Sequence, residues 1–286
     1  MLTDVVSEAL FEACPCLRVV SSCSVGVDHV DLSAATARGI PIGHTPGVLT
    51  EAVADLTFGL LLAAARRIVE ADCFVRGGHW TAERHWEPDM LLGRDVYGAT
   101  LGVIGLGDIG RAVARRARGF GMRVLGWSRR RKGLSEVTEI SLPELLESSD
   151  FVSVHVALTP ETRGLLDAAA LGCMRPGAVL MNTARGGIID ESALVEALRS
   201  GRLAAAALDV FAAEPLAAES PLLALRNVVL TPHIGSASVA TRTRMAELAV
   251  DNLLLGLRGE RLRHCANPEV YGDDPQLASN VLLQPV

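Results

Sequence analysis

The sequence predicts an α/β fold built on a doubly wound parallel sheet. Three observations carry that expectation. Short apolar runs alternate with helical patterns, a glycine-rich turn joins one run to an amphipathic helix, and the residue mix suits close helix-on-sheet packing. At 286 residues the chain is long enough for two ordinary domains. Apolar residues make up 49% and charged residues 21%, which excludes a disordered chain. Aromatic residues reach only 4% against 27 glycines, a poor fit to an aromatic-rich β-sandwich. Lys plus Arg is 27 against 33 acidic residues, a formal charge of −6, so the sequence offers no basic excess for a nucleic-acid partner.

Taken in order, Leu17–Ser22 and Ile40–Gly43 are predicted as short strands, with a helix over Leu32–Arg38 that Gly39 stops. Glu51–Arg76 is a long helical pattern, followed over residues 77–97 by a connection rich in Gly, Trp and charge. From Thr100 the rhythm is regular. Strands are expected at Leu101–Ile104, Arg123–Trp127, Phe151–Val154, Val179–Asn182, Ala205–Leu208 and Val228–Leu230, with helices over Ile109–Phe120, Leu142–Ser148, Ser192–Ser200 and Val239–Leu257. The residues from Asp273 on are expected to be a polar tail.

The longest apolar stretch, Phe58–Ala65, is bounded by Asp55 and Arg66 and is far too short to cross a bilayer, so no membrane partner is expected. Asp4 and Glu8 stand where a signal peptide would be basic, and a cytoplasmic location is expected. Of six cysteines only Cys14 and Cys16 lie close together. Reduced packing cysteines, with no metal and no disulfide, are the expectation.

Chemistry is first legible at Gly105-Leu106-Gly107-Asp108-Ile109-Gly110. Gly105 makes the tight turn after a strand, Gly107 lets the backbone approach a pyrophosphate, and Gly110 lets helix and strand pack closely. The helix start at Asp108 and Ile109 presents N–H groups and a positive dipole to the phosphates. The strand and helix around this loop predict a Rossmann-type dinucleotide-binding domain. NAD-specific members of that fold carry an acidic residue at the end of the second strand. Here Ser128 stands there, followed by Arg129, Arg130, Arg131 and Lys132. A 2′-phosphate would meet bases and no carboxylate, so NADP(H) is expected to be preferred, with NAD(H) still usable; Arg129 is the main contact, supported by Arg130 or Arg131.

Three further groups follow expected strands, where ligands of such sheets bind: Arg185, Glu214 and His233. An arginine can clamp a carboxylate bidentately, and a histidine with a carboxylate partner can give a proton to a carbonyl oxygen. Taken singly, each also fits a blander role: a surface charge, a solvated turn residue, a loop histidine.

These segments, with Ser24-Val25-Gly26-Val27-Asp28-His29, Leu158–Thr162, Asn182–Gly187, Leu208–Pro215 and Thr231–Ser236, resemble the D-isomer-specific 2-hydroxyacid dehydrogenases, most of all their glyoxylate/hydroxypyruvate reductases. The resemblance implies that Arg185 holds the carboxylate and keto oxygen of the substrate and that His233 is the acid/base. It implies that Glu214 keeps His233 protonated and that backbone amides at Val25 and Gly26 bind the carboxylate. Thr183 and Asp209 match positions lining the nicotinamide, and Gly235 lies beside the acid/base histidine. Reduction of a small 2-keto acid by a homodimer follows, the helix Glu51–Arg76 pairing subunits through an apolar band at Leu56, Leu60, Leu61 and Ala64. Residues 48–238 would form the NAD(P)-binding domain, and residues 1–47 with 239–286 an N-terminally truncated flavodoxin-like substrate domain. Family members carry further residues before the point matched by Met1, so the resemblance implies a start assigned at an internal Met or a truncated chain.

Two other readings stay open. One is a phosphoglycerate dehydrogenase-type enzyme or another 2-keto acid reductase; the other is a cofactor-sensing regulator of the corepressor type, which shares the triad. Formate oxidation fits less well, since that branch places glutamine where Glu214 stands. His155 is read as a packed histidine or as lining the adenine, Trp80 and Trp86 as active-site caps or surface packing. The basic face of Arg111, Arg115, Arg116 and Arg118 is read as solvated.

Overall fold

The computed structural model describes residues 4–272; the tail expected from Asp273 lies outside the described residues. The chain forms two compact units. One runs up to Thr50 and resumes at Ser236; the other is Glu51–Gly235.

The first unit opens with α1 (Glu8–Ala13), β1 (Val20–Ser21), α2 (Leu32–Ala37) and β2 (Ile42–Gly43). β1 and β2 pair in parallel, with Val20 opposite Ile42. Both strands are shorter than the apolar runs predicted. Asp31 caps α2 by accepting the Ala34 N–H at 2.9 Å. Phe11, Val30, Ala35 and Ile42 form this unit's core.

The second unit carries α3 (Thr50–Ala65), α4 (Ile68–Arg76), β3 (Thr100–Ile104), α5 (Asp108–Gly119), β4 (Arg123–Trp127), β5 (Thr138–Glu139), α6 (Leu142–Ser148), β6 (Phe151–Val154), α7 (Ala168–Cys173), β7 (Ala178–Asn182), α8 (Glu191–Arg199), β8 (Leu203–Leu208) and β9 (Val228–Leu230). Its seven strands are all parallel in the order β5-β4-β3-β6-β7-β8-β9. The winding reverses between β3 and β6, the switch point where ligands of doubly wound sheets bind.

Alternation along the strands feeds two cores. Leu101, Val103, Val179 and Met181 meet Leu61 of α3 and Val113 of α5 on one face. Ile104, Val152 and Leu180 meet Leu145 of α6, Leu171 of α7 and Leu194 of α8 on the other. With both faces covered, central strands read as continuous apolar runs, which is why they are legible in sequence.

The predicted helix Glu51–Arg76 is two helices. The Arg94 N–H takes the Ala65 carbonyl at 2.7 Å, and Arg67 turns the chain at φ 53°. Leu60, Leu61 and Ala64, the band expected to pair subunits, are buried in the unit's own core with Leu56 packed against it. The cysteines also depart from expectation. All six are free, and Cys14, Cys16, Cys23, Cys73 and Cys173 are exposed, so they do not serve as packing residues.

The chain returns to the first unit as α9 (Val239–Arg258), closed by left-handed Gly259. Gly256 lets α9 lie against β1's neighbour Val19; a Cβ there would come within 2.5 Å of the Val19 side chain. Among the described residues, no helix is long and apolar enough to cross a membrane.

Candidate active site

The glycine loop follows β3 at the switch point, and its three glycines differ in what surrounds them. Gly105 sits at φ +101°, a region that L side chains rarely adopt, and a Cβ would meet the His155 backbone at 2.6 Å. A Cβ on Gly110 would lie 1.9 Å from the Gly105 carbonyl oxygen, so α5 can approach the loop only without a side chain there. Around Gly107, the residue capping α5, a Cβ would meet nothing within 4 Å. That open space lies at the N-terminus of a 12-residue helix, where a pyrophosphate fits the unpaired N–H groups and dipole. These residues therefore fit a dinucleotide. Asp108 begins the helix and pairs with Arg111, while Ile109 packs against the core.

Beyond β4, Ser128 Oγ donates to the Arg130 carbonyl at 2.7 Å, shaping the basic loop from within. Arg129 is exposed and lies 3.7 Å from Glu161. Glu139 accepts the Lys132 and Gly133 N–H groups. The fold thus brings two carboxylates to a loop that reads as purely basic in sequence. Those N–H bonds hold Glu139 below the usual carboxylate range, Lys132 being the largest cause. His155 is packed, with Nε2 2.7 Å from Ser153 Oγ, and burial pushes its pKa down to about 3. Trp80 and Trp86 are exposed, the former donating to the His85 carbonyl.

Three loops at the C-terminal ends of β7, β8 and β9 bring the remaining residues together. After β7, the Asn182 side chain accepts the Ala184 N–H at 3.0 Å and donates to the Arg185 carbonyl at 2.9 Å, setting the backbone that projects Arg185. Gly186 then passes against the loop after β8: a Cβ there would lie 1.9 Å from the Phe211 carbonyl carbon. That loop presents Glu214, which accepts the Phe211 N–H at 3.0 Å through Oε1. Its Oε2 is 2.6 Å from His233 Nδ1. An ionised carboxylate only accepts, so Nδ1 carries the hydrogen and Nε2 is the other reactive nitrogen. Burial opposes the Glu214 charge, but the hydrogen bonds from His233 and Phe211 and the charges of His233 and Arg185 prevail and lower its pKa.

His233 itself stands at φ 53°, a strained value for a non-glycine residue. Asp209, 1% exposed, shapes this loop by accepting Thr231 Oγ1 at 2.6 Å and the Ile234 and Gly235 N–H groups at 2.8 Å each. Gly235 eases that approach, since a Cβ would lie a tight 3.2 Å from Asp209 Oδ2. Sequence reasoning placed Asp209 toward the cofactor and missed this second task. It also missed Thr57, fully buried on α3, whose hydroxyl donates to Val53 and lies 2.9 Å from Thr183 Oγ1. A hydroxyl inside an otherwise apolar helix face is the signal that could have found it.

In the first unit, Val25 and Gly26 lie in a turn where Ser24 Oγ donates to the Gly26 carbonyl at 2.7 Å.

The D-isomer specific 2-hydroxyacid dehydrogenase NAD-binding domain matches residues 58–235. A glyoxylate reductase of Korarchaeum cryptofilum is 51% identical over 274 residues, 94% of this chain and 82% of its own. One from Thermococcus litoralis is 47% identical over 280 residues, 96% and 84% of the two chains. Among solved structures, a Thermus thermophilus protein superposes with a TM-score of 0.87 at 53% identity, covering 92% of this chain and 83% of the other. An NADPH-dependent glyoxylate/hydroxypyruvate reductase from Sinorhizobium meliloti, in complex with NADP and malonate, superposes with a TM-score of 0.85 at 40% identity, covering 92% and 82%. Motif, sheet order and relatives agree: the chain belongs to the D-isomer-specific 2-hydroxyacid dehydrogenase family.

Proposed function

We propose that the protein reduces glyoxylate to glycolate, or hydroxypyruvate to the D-2-hydroxy acid, preferring NADPH. The observation that carries the reading is the 2.6 Å Glu214–His233 pair, set on strand-end loops with Arg185 close enough to favour the Glu214 charge. Gly105, Gly107, Asp108, Ile109 and Gly110 hold the dinucleotide, with Thr183, Asp209 and Gly235 on its nicotinamide side. When bound, that cofactor supplies the hydride for the keto carbon. Arg185 grips the substrate carboxylate and keto oxygen through its planar fork. His233 gives its Nε2 proton to the keto oxygen as the negative charge develops there, while Glu214 steadies the imidazolium from Nδ1. The Val25 and Gly26 amides bind the carboxylate.

The NADPH preference rests on Ser128, Arg129 and Arg130. Among the described residues Arg129 holds a long, exposed ion pair with Glu161, one that a phosphate can replace. We assign the homodimer contact to α4 and the following connection, where Ile68, Val75, Trp80 and Leu92 are exposed, instead of the buried α3 band. A cytoplasmic enzyme fits this reading.

Nicotinamide absorbance, followed with glyoxylate, hydroxypyruvate, pyruvate and phosphohydroxypyruvate, tests it. Turnover of the first two is expected. Turnover of phosphohydroxypyruvate alone would give the phosphoglycerate-type enzyme, and cofactor binding without turnover a regulator.

A further inference from the structure

We propose that His44 is a positioning residue that orients the carboxylate-binding peptides at Val25 and Gly26; the role rests on the activity proposed above. Two consecutive carbonyls of that turn point to one segment. The Ser24 carbonyl accepts the Thr45 N–H at 2.8 Å, and the Val25 carbonyl lies 3.1 Å from His44 Nδ1. A carbonyl only accepts, so Nδ1 donates. In a trans peptide the N–H points opposite to the C=O. Tying these two carbonyls to residues 44 and 45 therefore turns the Val25 and Gly26 N–H groups away from that segment, side by side. Successive N–H groups held this way form an anion-binding concavity.

The His44 imidazole is not what anchors its own segment, because the main chain does that. The His44 N–H donates to the His264 carbonyl at 3.2 Å, and the His44 carbonyl accepts Asn252 Nδ2 at 3.1 Å. Asn252 is fully buried on α9, and its Oδ1 takes the His264 N–H at 3.2 Å, clamping both segments at once. Gly43 is the residue that admits this clamp; a Cβ there would come within 2.9 Å of Asn252. The His264 ring meets the His44 ring edge-on at 6.3 Å. The His44 side chain is thus held in place and spends its donor on Val25.

The test uses the full chain with two substitutions, H44L and H44N. Leucine removes the donor, whereas the asparagine amide nitrogen stands close to where Nδ1 stood. The measurements are KM and kcat for glyoxylate, the KM for NADPH, the inhibition constant of oxalate and the Tm. In H44L, KM for glyoxylate and the oxalate constant should both rise about tenfold, the loss expected for one hydrogen bond. The NADPH KM, kcat and Tm should stay near wild type, and H44N should recover most of the loss. An unchanged glyoxylate KM in H44L, or equal impairment of both variants with a lowered Tm, overturns the positioning role alone. A wild-type protein that neither reduces glyoxylate nor binds oxalate overturns this role and the proposed activity together.

Discussion

Glu214 and His233 are each about a quarter exposed, and the carboxylate oxygen Oε2 lies 2.6 Å from Nδ1. Glu214→Gln keeps the shape but removes the charge that steadies the Nδ1–H, so kcat/KM for keto-acid reduction should drop about tenfold or more, the equivalent of one charge-assisted hydrogen bond. Wild-type kinetics in that variant would break the pairing. On the acid side, the Glu214 pKa is lowered, so its stabilising contacts are fully present above the ordinary carboxylate range and vanish only as pH drops through the depressed value. Arg185→Lys keeps the charge but loses the planar fork, and kcat/KM should drop about a hundredfold. Near-normal kinetics would reduce Arg185 to a surface charge. Arg129→Ala should weaken NADPH by about ten- to a hundredfold, on the order of 1.5–3 kcal/mol, and leave NADH nearly untouched. The comparison of kcat/KM for both cofactors decides it; a wild type preferring NADH removes the basic loop from phosphate recognition.

At the scale of elements, the junction of β3 and α5 separates folding from binding. Gly110→Ala puts a methyl against the Gly105 backbone, and overpacking of this kind costs about 1–3 kcal/mol, read as a lowered Tm. Gly107→Ala enters open space, so its Tm should hold while cofactor affinity falls. Unchanged cofactor affinity in Gly107→Ala would leave the open space at Gly107 without a ligand role. The central strands of the large sheet were legible because each is buried on two faces. The arginine, glutamate and histidine were legible because they follow those strands. What escaped depends on partners far along the chain. The break at Arg67 needs a bond from Arg94, and β5 is two polar residues held only by β4. α7 shows no periodicity and starts because the Asp167 side chain caps it at Ala170. The basic face of α5 is partly a tie: Arg116 pairs with Asp55 and Glu51 of α3, and Arg115 with Glu51. Asp209 collects its donors from residues 231–235, a set that spacing alone does not reveal.

For the whole molecule, the exposed apolar side chains of α4 and the connection after it give the assembly its test. Ile68, Val75, Trp80 and Leu92 are each more than half exposed, an unusual concentration on one stretch. Sedimentation at micromolar concentration should report a dimer, and Val75→Glu should shift it to the monomer without lowering the Tm. A wild-type monomer refutes the assignment. One last feature concerns how the second unit is written into the chain. It is a single uninterrupted stretch, and its two ends meet: a Cβ on Gly235 would touch the Val53 side chain at 3.3 Å. A segment whose ends lie together is one that folding can close without the rest of the chain, so residues 51–235 expressed alone should melt in a single cooperative transition.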